Sequence, residues 1–387
     1  MREGLFDRPY RPLDKPDTVV MSPAHLAVAR QASHESIVLL KNDNNLLPLS
    51  KSQAIALIGP CVSDRADYPG PWAVFPDVAT HVTMEEGFQA ALGPNGRLSV
   101  TRGSNYEAPL DGGIDAAVAA AQAADVVVLV VGESSGMSGE AQSRVDISIP
   151  APQLAMAEAV IATGKPVVVL LRHGRALAIT GAVRNAPAIL ATWFLGSETG
   201  HAVADVVFGD FAPQGRLPVS FPQASGQEPF YYNHRNSGRP QLTDDKAYKS
   251  RYREVTNEAL YPFGHGLTYS SASYSATQVS ASSMSLNGSI TVTATVTNTG
   301  SRAMHEVAQI YVHDKVATVT QPVRVLRGIR HLDLKPGQSA TVSFTLNAGD
   351  LAFVHHDLKT YPEAGMFDVW IAPSAAEGTP ASFMLKA

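Results

Sequence analysis

The strongest constraint on the fold is an uninterrupted apolar run, 126–131, followed by a loop rich in glycine and serine. Six consecutive apolar residues without polar alternation predict a strand buried on both faces, the kind found inside a parallel sheet. The loop, 132–144, carries Glu133, Glu140 and Arg144. In open α/β sheets, ligands and chemistry collect at the carboxyl ends of the strands. A glutamate on this loop is therefore a candidate general acid, although such loops are more often solvated connections.

Helical and extended patterns alternate around this strand. Helices are predicted over 23–40, 84–92, 113–124, 152–163 and 200–208, and strands over 54–58, 98–101, 126–131, 167–171 and 189–193. Strands separated by helices of this length pair in parallel through right-handed crossovers. Residues 17–225 are thus predicted to form an α/β sandwich, a mostly parallel sheet flanked by helices.

The remaining segments have other patterns. Residues 1–16 are rich in Arg, Asp and Pro, which predicts an interdomain linker and a chain that begins between two domains. Residues 226–269 lose periodicity and gain aromatic residues, which predicts an extended connector packed on a domain surface. Residues 270–387 contain strictly alternating runs bounded by turn residues, which predict an antiparallel β-sandwich.

Charge and cysteine content exclude several function classes. A net charge of -5 without a Lys/Arg run gives no electrostatic footprint for nucleic acid or for an anionic membrane. No apolar run approaches the roughly 18 residues of a membrane span. Cys61 is the only cysteine, so an intrachain disulfide and a cysteine-rich metal site are excluded. We expect neither a metal nor a cofactor.

Two further strand ends carry polar side chains, and a long loop follows the 54–58 strand. In that loop Trp72 could stack on a sugar ring or simply pin its own loop, and the two interpretations are about equally favoured. His173, in Arg172-His173-Gly174-Arg175, is more often structural than catalytic at such a position. Ser197 or Thr199 is expected to cap the helix that follows them.

Four motifs, in order along the chain, resemble glycoside hydrolase family 3, and within it the bacterial periplasmic β-glucosidases. They are Glu35-Ser36-Ile37-Val38-Leu39-Leu40-Lys41-Asn42 with Leu47-Pro48-Leu49, the loop with Gly132-Glu133 and Glu140-Ala141-Gln142-Ser143-Arg144, residues 209–222 (GDFAPQGRLPVSFP), and residues 261–267 (YPFGHGL). The family's fold is an N-terminal (β/α)8 barrel, an α/β sandwich and, in many members, a fibronectin type III-like domain. The resemblance implies that this chain carries the second and third parts and lacks the barrel.

The resemblance also implies roles for the candidate residues. Glu140 matches the position of the general acid/base, whereas the barrel nucleophile has no counterpart in this chain. Trp72 lies in the loop that lines the aglycone side of the cleft. Glu133 is expected to organise the acid/base loop through backbone N–H groups, and Arg144 to contact substrate or to pair with Glu133 or Asp146.

The implied function is that of the C-terminal part of a retaining, exo-acting β-glucosidase, inactive alone and dependent on a barrel domain or subunit. Its substrates would be β-glucosides or cello-oligosaccharides, and the family suggests a periplasmic or secreted location. A non-catalytic glycan-binding or scaffold subunit, and a β-xylosidase of the same family, remain alternatives. If the chain hydrolysed glucosides by itself, Asp64, Asp67 and Asp77 would be the first candidates for a second carboxylate. Exposed apolar surface on the barrel-facing side predicts self-association.

Overall fold

The computed structural model of the chain describes residues 2, 4–10, 20–240 and 248–387. Half of the predicted linker, residues 1, 3 and 11–16, and residues 241–247 of the predicted connector lie outside these described residues. The predicted boundaries of the four segments, 1–16, 17–225, 226–269 and 270–387, stay predictions.

The α/β part of the chain is built around a six-stranded sheet with the strand order β1-β6-β5-β4-β2-β3. Its strands are β1 Val38–Asn42, β2 Ala54–Ile58, β3 Arg97–Thr101, β4 Val126–Gly132, β5 Val167–Arg172 and β6 Ala188–Ala191. The helices are α1 Pro23–Ser36, α2 Met84–Leu92, α3 Gly113–Ala123, α4 Ala151–Ile161, α5 Gly181–Asn185 and α6 Thr199–Phe208. Strands β2 to β6 pair in parallel, and β1 pairs antiparallel with β6. The predicted α/β sandwich is confirmed.

The central strand β4 is buried on both faces, as its sequence predicted. Val127, Leu129 and Val131 pack in one core with α3 and α4. The alternate residues of β4 pack in a second core with α2 and α6. Because helices cover both faces, a strand in the middle of this sheet has no solvent-facing side, which explains its unbroken apolar sequence.

The predicted extension of the first helix to Leu40 is wrong. Helix α1 begins at the Ser22 cap, whose side chain accepts a hydrogen bond from the His25 N–H at 3.4 Å, and ends at Ser36. Ile37 is already extended, and the apolar run after it forms β1 at the edge of the sheet. The backbone partners offered by β6 outweigh the weak helical spacing of this run.

The predicted hydroxyl cap of α6 is also wrong. The N-cap residue of α6 is Glu198, and its side chain makes no capping hydrogen bond to the first turn of the helix. The Thr199 hydroxyl instead donates to the carbonyl of Gly196 at 2.7 Å. The other end is as predicted, because Gly209 terminates α6 in the left-handed conformation with φ of 78°.

A β-sandwich follows. One sheet has the order β13-β10-β7, with β8 also paired to β10, and the other has the order β12-β11-β16-β17-β9. The strands of these two sheets are β7 Ala272–Tyr274, β8 Gln278–Val279, β9 Ser283–Ser285, β10 Ser289–Asn298, β11 Met304–Asp314, β12 Val325–Leu334, β13 Ser339–Asn347, β16 Gly365–Ala372 and β17 Ala381–Lys386. Strands β14 Phe353–Val354 and β15 Thr360–Tyr361 pair with each other as a separate two-stranded sheet. Alternate residues of β10 are buried in the common core, as their period of two predicted. No (β/α)8 barrel occurs among the described residues.

The segment that joins the two sandwiches is bonded to both. The N–H of Leu267 donates to the carbonyl of Leu39 in β1 at 2.8 Å, and the Gln309 side chain donates to the carbonyl of Gly264 at 3.0 Å. Arg216 and Glu306, both nearly buried, form an ion pair across the contact at 3.1 Å. Hydrogen bonds and a buried ion pair together fix how the β-sandwich sits on the α/β sandwich.

Candidate active site

Loops that follow β2, β4, β5 and β6 meet at the carboxyl edge of the sheet and enclose an open cleft. Its volume is about 700 Å³. Its lining includes both Trp72, the candidate sugar platform, and Glu140, the residue that matches the general acid/base position by resemblance. The other lining residues are Pro69, Gly70, Pro71, Ser138, Gly139, Gln142, Ser143, His173, Gly174, Arg175, Trp193 and Phe194.

Glu133 is the anchor of the loop between β4 and α4. Its side chain is completely buried. Arg144 donates to Oε1 at 2.8 Å, and Nε of Arg175 makes an ion-pair contact with the same oxygen at 2.9 Å, without hydrogen-bond alignment. The N–H of Gly174 donates to Oε2 at 3.2 Å. One carboxylate thus ties the start of the loop, its far end and the neighbouring loop after β5 together.

Arg144 and Asp146, the two remaining predicted site residues, hold the far end of this loop. Arg144 also donates to the carbonyl of Ser148 at 2.9 Å, so the structure pairs it with Glu133 rather than with Asp146. Asp146 accepts hydrogen bonds from the Ser148 N–H and the Ser225 hydroxyl, both at 2.9 Å. These hydrogen bonds lower the pKa of Asp146. Contact of Arg144 with substrate stays a prediction.

Glu140 lies at the tip of the loop with an exposed side chain. Its neighbours on both sides are left-handed, with φ of 99° at Gly139 and 59° at Ala141. Gly139 packs so closely on the opposite loop that a Cβ there would lie 2.8 Å from the Cβ of Pro71 and 3.7 Å from the ring of Trp72. The left-handed alanine is a strained conformation of the kind that clusters at functional sites. The backbone therefore turns sharply on each side of Glu140 and presents its carboxylate to the cleft.

Trp72 stands beside this tip and is 71% exposed. Its ring lies close to the glycine next to Glu140, 3.7 Å from where a Cβ on that glycine would stand, and most of the side chain is open to solvent. A tryptophan that merely pinned its own loop would be expected to bury its ring. The exposure favours the interpretation as a platform for an apolar ligand face.

A buried polar network fixes the loop that carries Trp72. Arg172, at the end of β5, pairs with Asp67 and donates to its carbonyl. The N–H and hydroxyl of Ser135 donate to Asp67 at 2.7 and 2.6 Å, and Tyr106 donates to the same carboxylate. Burial raises the pKa of Asp67, but the charge of Arg172 and the hydrogen bonds from Ser135 and Tyr106 outweigh burial and hold this pKa below its usual range. Asp67 is therefore committed to holding two loops of the cleft together.

His173 lies under the cleft and is completely buried. Its Nδ1 lies 2.7 Å from the carbonyl of Arg175, and its ring packs 4.4 Å from that of Trp193. Burial lowers the pKa of His173 to about 4. The imidazole is therefore neutral at pH 7, and its Nε2 has no hydrogen-bond partner among the described residues. Neutrality and burial are consistent with the predicted structural role.

In the described parts of the chain, no group of three or more His, Cys, Asp or Glu side chains is arranged to hold a metal ion. Burial raises the pKa of the Cys61 thiol. Within the described ranges no helix is both long enough and apolar enough to cross a membrane.

Several residues of the site were not assigned from the sequence. Arg175 donates to the carbonyls of Met137 and Gln142, at 2.5 and 2.8 Å, and so supports the loop that bears Glu140 from below. Phe194 packs against the guanidinium of Arg172 at 4.8 Å and lines the cleft. Their positions directly after β5 and β6 were the available signal, because all parallel strands deliver their following residues to one edge.

The chain is similar to known proteins along its whole length. The sequence model of the glycosyl hydrolase family 3 C-terminal domain matches residues 37–269, and that of the fibronectin type III-like domain matches residues 306–375. The periplasmic beta-glucosidase of Salmonella typhimurium is 41% identical over 99% of this chain and 53% of the relative. A beta-xylosidase of Formosa agariphila is 36% identical over 96% of this chain and 52% of the relative. The crystal structure of a beta-glucosidase from Listeria innocua in complex with isofagomine has a TM-score of 0.92 and 34% identity, over 99% of this chain and 53% of that one. The chain spans about half the length of the relatives that it matches.

Proposed function

Because the chain belongs to glycoside hydrolase family 3, we propose that it is the C-terminal part of a retaining, exo-acting β-glucosidase that removes terminal non-reducing β-D-glucosyl residues. The observation that carries the proposal is the exposed carboxylate of Glu140 beside the exposed ring of Trp72, at the mouth of a cleft of about 700 Å³. An acid and an apolar platform in one cleft are two of the groups that a retaining glycosidase uses, and a nucleophilic carboxylate is the third.

In this proposal Glu140 is the general acid/base. It gives its proton to the glycosidic oxygen as the bond to the anomeric carbon breaks, and it then removes a proton from the water that releases the sugar. The nucleophilic carboxylate, which must lie about 5–5.5 Å from Glu140 across the scissile bond, comes from a (β/α)8 barrel domain or subunit. Trp72 stacks on the aglycone, and the Glu133–Arg144 pair fixes the loop.

The sugar is a separate part of the proposal. The relatives include proteins named as beta-glucosidases and as beta-xylosidases, so both sugars are carried by scaffolds similar to this one. We favour glucosides because the Salmonella typhimurium relative is 41% identical and the Formosa agariphila relative 36%. The name of the former also supports a periplasmic location for this protein.

The acid role is tested by the dependence of the rate on the leaving group. In an enzyme that contains this chain together with a barrel, Glu140→Gln is compared with the wild type on aryl β-glucosides with good and poor leaving groups. A lost acid slows the poor leaving group by about 10²–10⁴-fold and the good one much less, because a good leaving group departs without a proton. Glu107→Gln, a change at an exposed glutamate outside the cleft lining, is the matched control and should leave both rates unchanged. Equal rates of Glu140→Gln and wild type on the poor leaving group would exclude Glu140 as the acid.

The isolated chain should have no measurable glucosidase activity, because a retaining reaction requires both carboxylates. Activity that disappears in Glu140→Ala would instead mean that a second carboxylate lies within the chain. Asp64 and Asp77, on the loop that faces Glu140, would then be the first to replace, because Asp67 is bound to Arg172.

The exposure of Trp72 also supports the second candidate function, a non-catalytic glycan-binding or scaffold subunit. Titration of cellobiose against the tryptophan fluorescence of the isolated chain distinguishes the two. Saturable binding that is lost in Trp72→Ala, without hydrolysis even when a barrel is supplied, favours the binding subunit. Hydrolysis with the barrel favours the glucosidase. Exposed apolar residues near the cleft, Val74, Phe75 and Val145, support the expectation that the isolated chain self-associates.

A further inference from the structure

A pair of histidines lies on the outer face of the β-sandwich, far in sequence from the cleft. Strands β11 and β12 pair antiparallel with His305 opposite Asp333 and with Val307 opposite His331. Residues that face each other across strands, and residues two apart along a strand, share one face of a sheet. His305, His331 and Asp333 therefore project together. The third strand, β16, pairs with β11 only from Gln309 onward, so these side chains occupy a two-stranded end of the sheet.

The three side chains form a chain of short contacts. Nδ1 of His305 lies 2.8 Å from Oδ1 of Asp333, and Nε2 of His305 lies 2.9 Å from Nδ1 of His331. A carboxylate can only accept, so the His305 proton sits on Nδ1. The lone pair of His305 Nε2 then points at His331, and a single proton on His331 Nδ1 holds the two rings together.

We propose that this pair chelates a divalent transition-metal ion of the kind that imidazole prefers, such as Zn²⁺ or Cu²⁺, in place of that proton. Zinc–nitrogen bonds of about 2.0–2.1 Å in tetrahedral geometry separate two ligand nitrogens by about 3.3 Å. The observed separation is 2.9 Å. The exposed ring of His331 must move back by a few tenths of an ångström and turn so that the lone pairs of both nitrogens converge on the ion.

Asp333 gives the histidine pair a second feature that is typical of metal sites, a carboxylate bonded to a ligand imidazole. A ligating histidine typically donates its other N–H to a carboxylate, which fixes the tautomer, orients the ring and increases its basicity. His305 already has this arrangement without a metal. Because two nitrogens leave the remaining coordination positions to water, the site is an open one with two protein ligands.

Isothermal titration of ZnCl₂ and, separately, of CuSO₄ into the full 387-residue chain, in a non-coordinating buffer at pH 7.5, tests the proposal. We expect one saturable site per chain. His331→Ala and His305→Ala should abolish it, and Asp333→Asn should weaken it by about 10–100-fold. His234→Ala, which removes another exposed histidine, should bind as the wild type does. In NMR spectra the imidazole signals of His305 and His331 should shift together on titration.

Three results would overturn the proposal. They are the absence of a saturable site for either metal, unchanged binding in His331→Ala, and an equal loss of binding in His234→Ala. The residues lie at the surface, so the variants should fold, and far-UV circular dichroism verifies this before titration. A variant that does not fold is replaced by His331→Gln, which keeps a side chain of similar length and polarity but is a much poorer metal ligand.

Discussion

Replacing Glu133 by glutamine measures how strongly this carboxylate holds the cleft together. The change preserves the shape of the side chain and removes its charge. In the wild type, Oε1 receives Arg144 and lies in ion-pair contact with Arg175, and Oε2 receives the N–H of Gly174. Glutamine has one oxygen and one NH₂ group. Whichever way the amide is turned, its NH₂ group faces a donor, and the two guanidinium groups lose their counter-ion.

The expected loss follows from burial. Glu133 is completely buried, and the side chains of Arg144 and Arg175 are 19% and 23% exposed. Breaking a buried ion pair by removing one partner costs roughly 3–5 kcal/mol, and the partial exposure of the arginines sets this case near 3 kcal/mol. For a domain of 150 to 250 residues, each kcal/mol lowers Tm by about 2–4 °C, so the α/β domain should melt about 6–12 °C lower.

Thermal unfolding followed by far-UV circular dichroism at pH 7 provides the measurement. The matched control is Glu140→Gln, which makes the same chemical change on the same loop at an exposed position, and its free energy of unfolding should change by less than about 0.5 kcal/mol. Buried pairs are screened little by salt, so the difference should persist at about 0.5 M NaCl. If Glu133→Gln melts within about 2 °C of the wild type, or if both variants lose the same amount, Glu133 is not the anchor of the loop.

Two further predictions concern the same edge of the sheet. Asp67→Asn should destabilise the α/β domain at pH 7, and its difference from the wild type should shrink progressively as the pH falls below about 4, as measured by urea midpoints across pH. The sign follows from the lowered pKa of Asp67, because a carboxyl of this kind contributes stability above its unfolded pKa of about 4 and loses it as the pH falls through its folded pKa. Gly132→Ala should cost about 3 kcal/mol, because a Cβ there would lie 1.9 Å from the carbonyl of Arg172 at a φ of 137°. Gly226→Ala, where a Cβ meets nothing within 4 Å, should be neutral, and equal melting of the two glycine variants would contradict the argument.

Most of the α/β fold could be predicted from the sequence, because burial on both faces leaves long apolar runs and helices leave clear spacing between them. The exception is instructive. Residues 37–40, Ile-Val-Leu-Leu, continue the helical spacing of the residues before them, and no glycine or proline marks the end of the helix. Because a helix and a buried strand would be equally apolar at these positions, the sequence alone does not distinguish the two. Only β6, more than 140 residues later, distinguishes them, because it supplies the strand partner.

The location of the site could be predicted as far as it depends on the order of strands and loops along the chain. Parallel strands bring everything that follows them to one edge, so the loops with Trp72 and Glu140 were expected to meet. The supporting contacts were not predictable, because they join distant positions by side-chain geometry. Asp67 illustrates this: as an acidic residue on the facing loop it was a reasonable second carboxylate, and its pairing with Arg172, 105 residues later, cannot be read from either segment alone.

The position of these supporting contacts explains how the Glu140 side of the proposed active site can form before a barrel docks on it. The loop of Glu140 is anchored at its base by Glu133, from below by Arg175, and beside Met137 by the bonds of Ser135 to Asp67. Every one of these partners belongs to the α/β sandwich, and none depends on a group supplied from outside. Catalytic geometry is maintained best when the residues that hold a reacting group are themselves held by packing and hydrogen bonds. A barrel that docks on this edge would therefore need to position its own carboxylate against a Glu140 loop that is already formed.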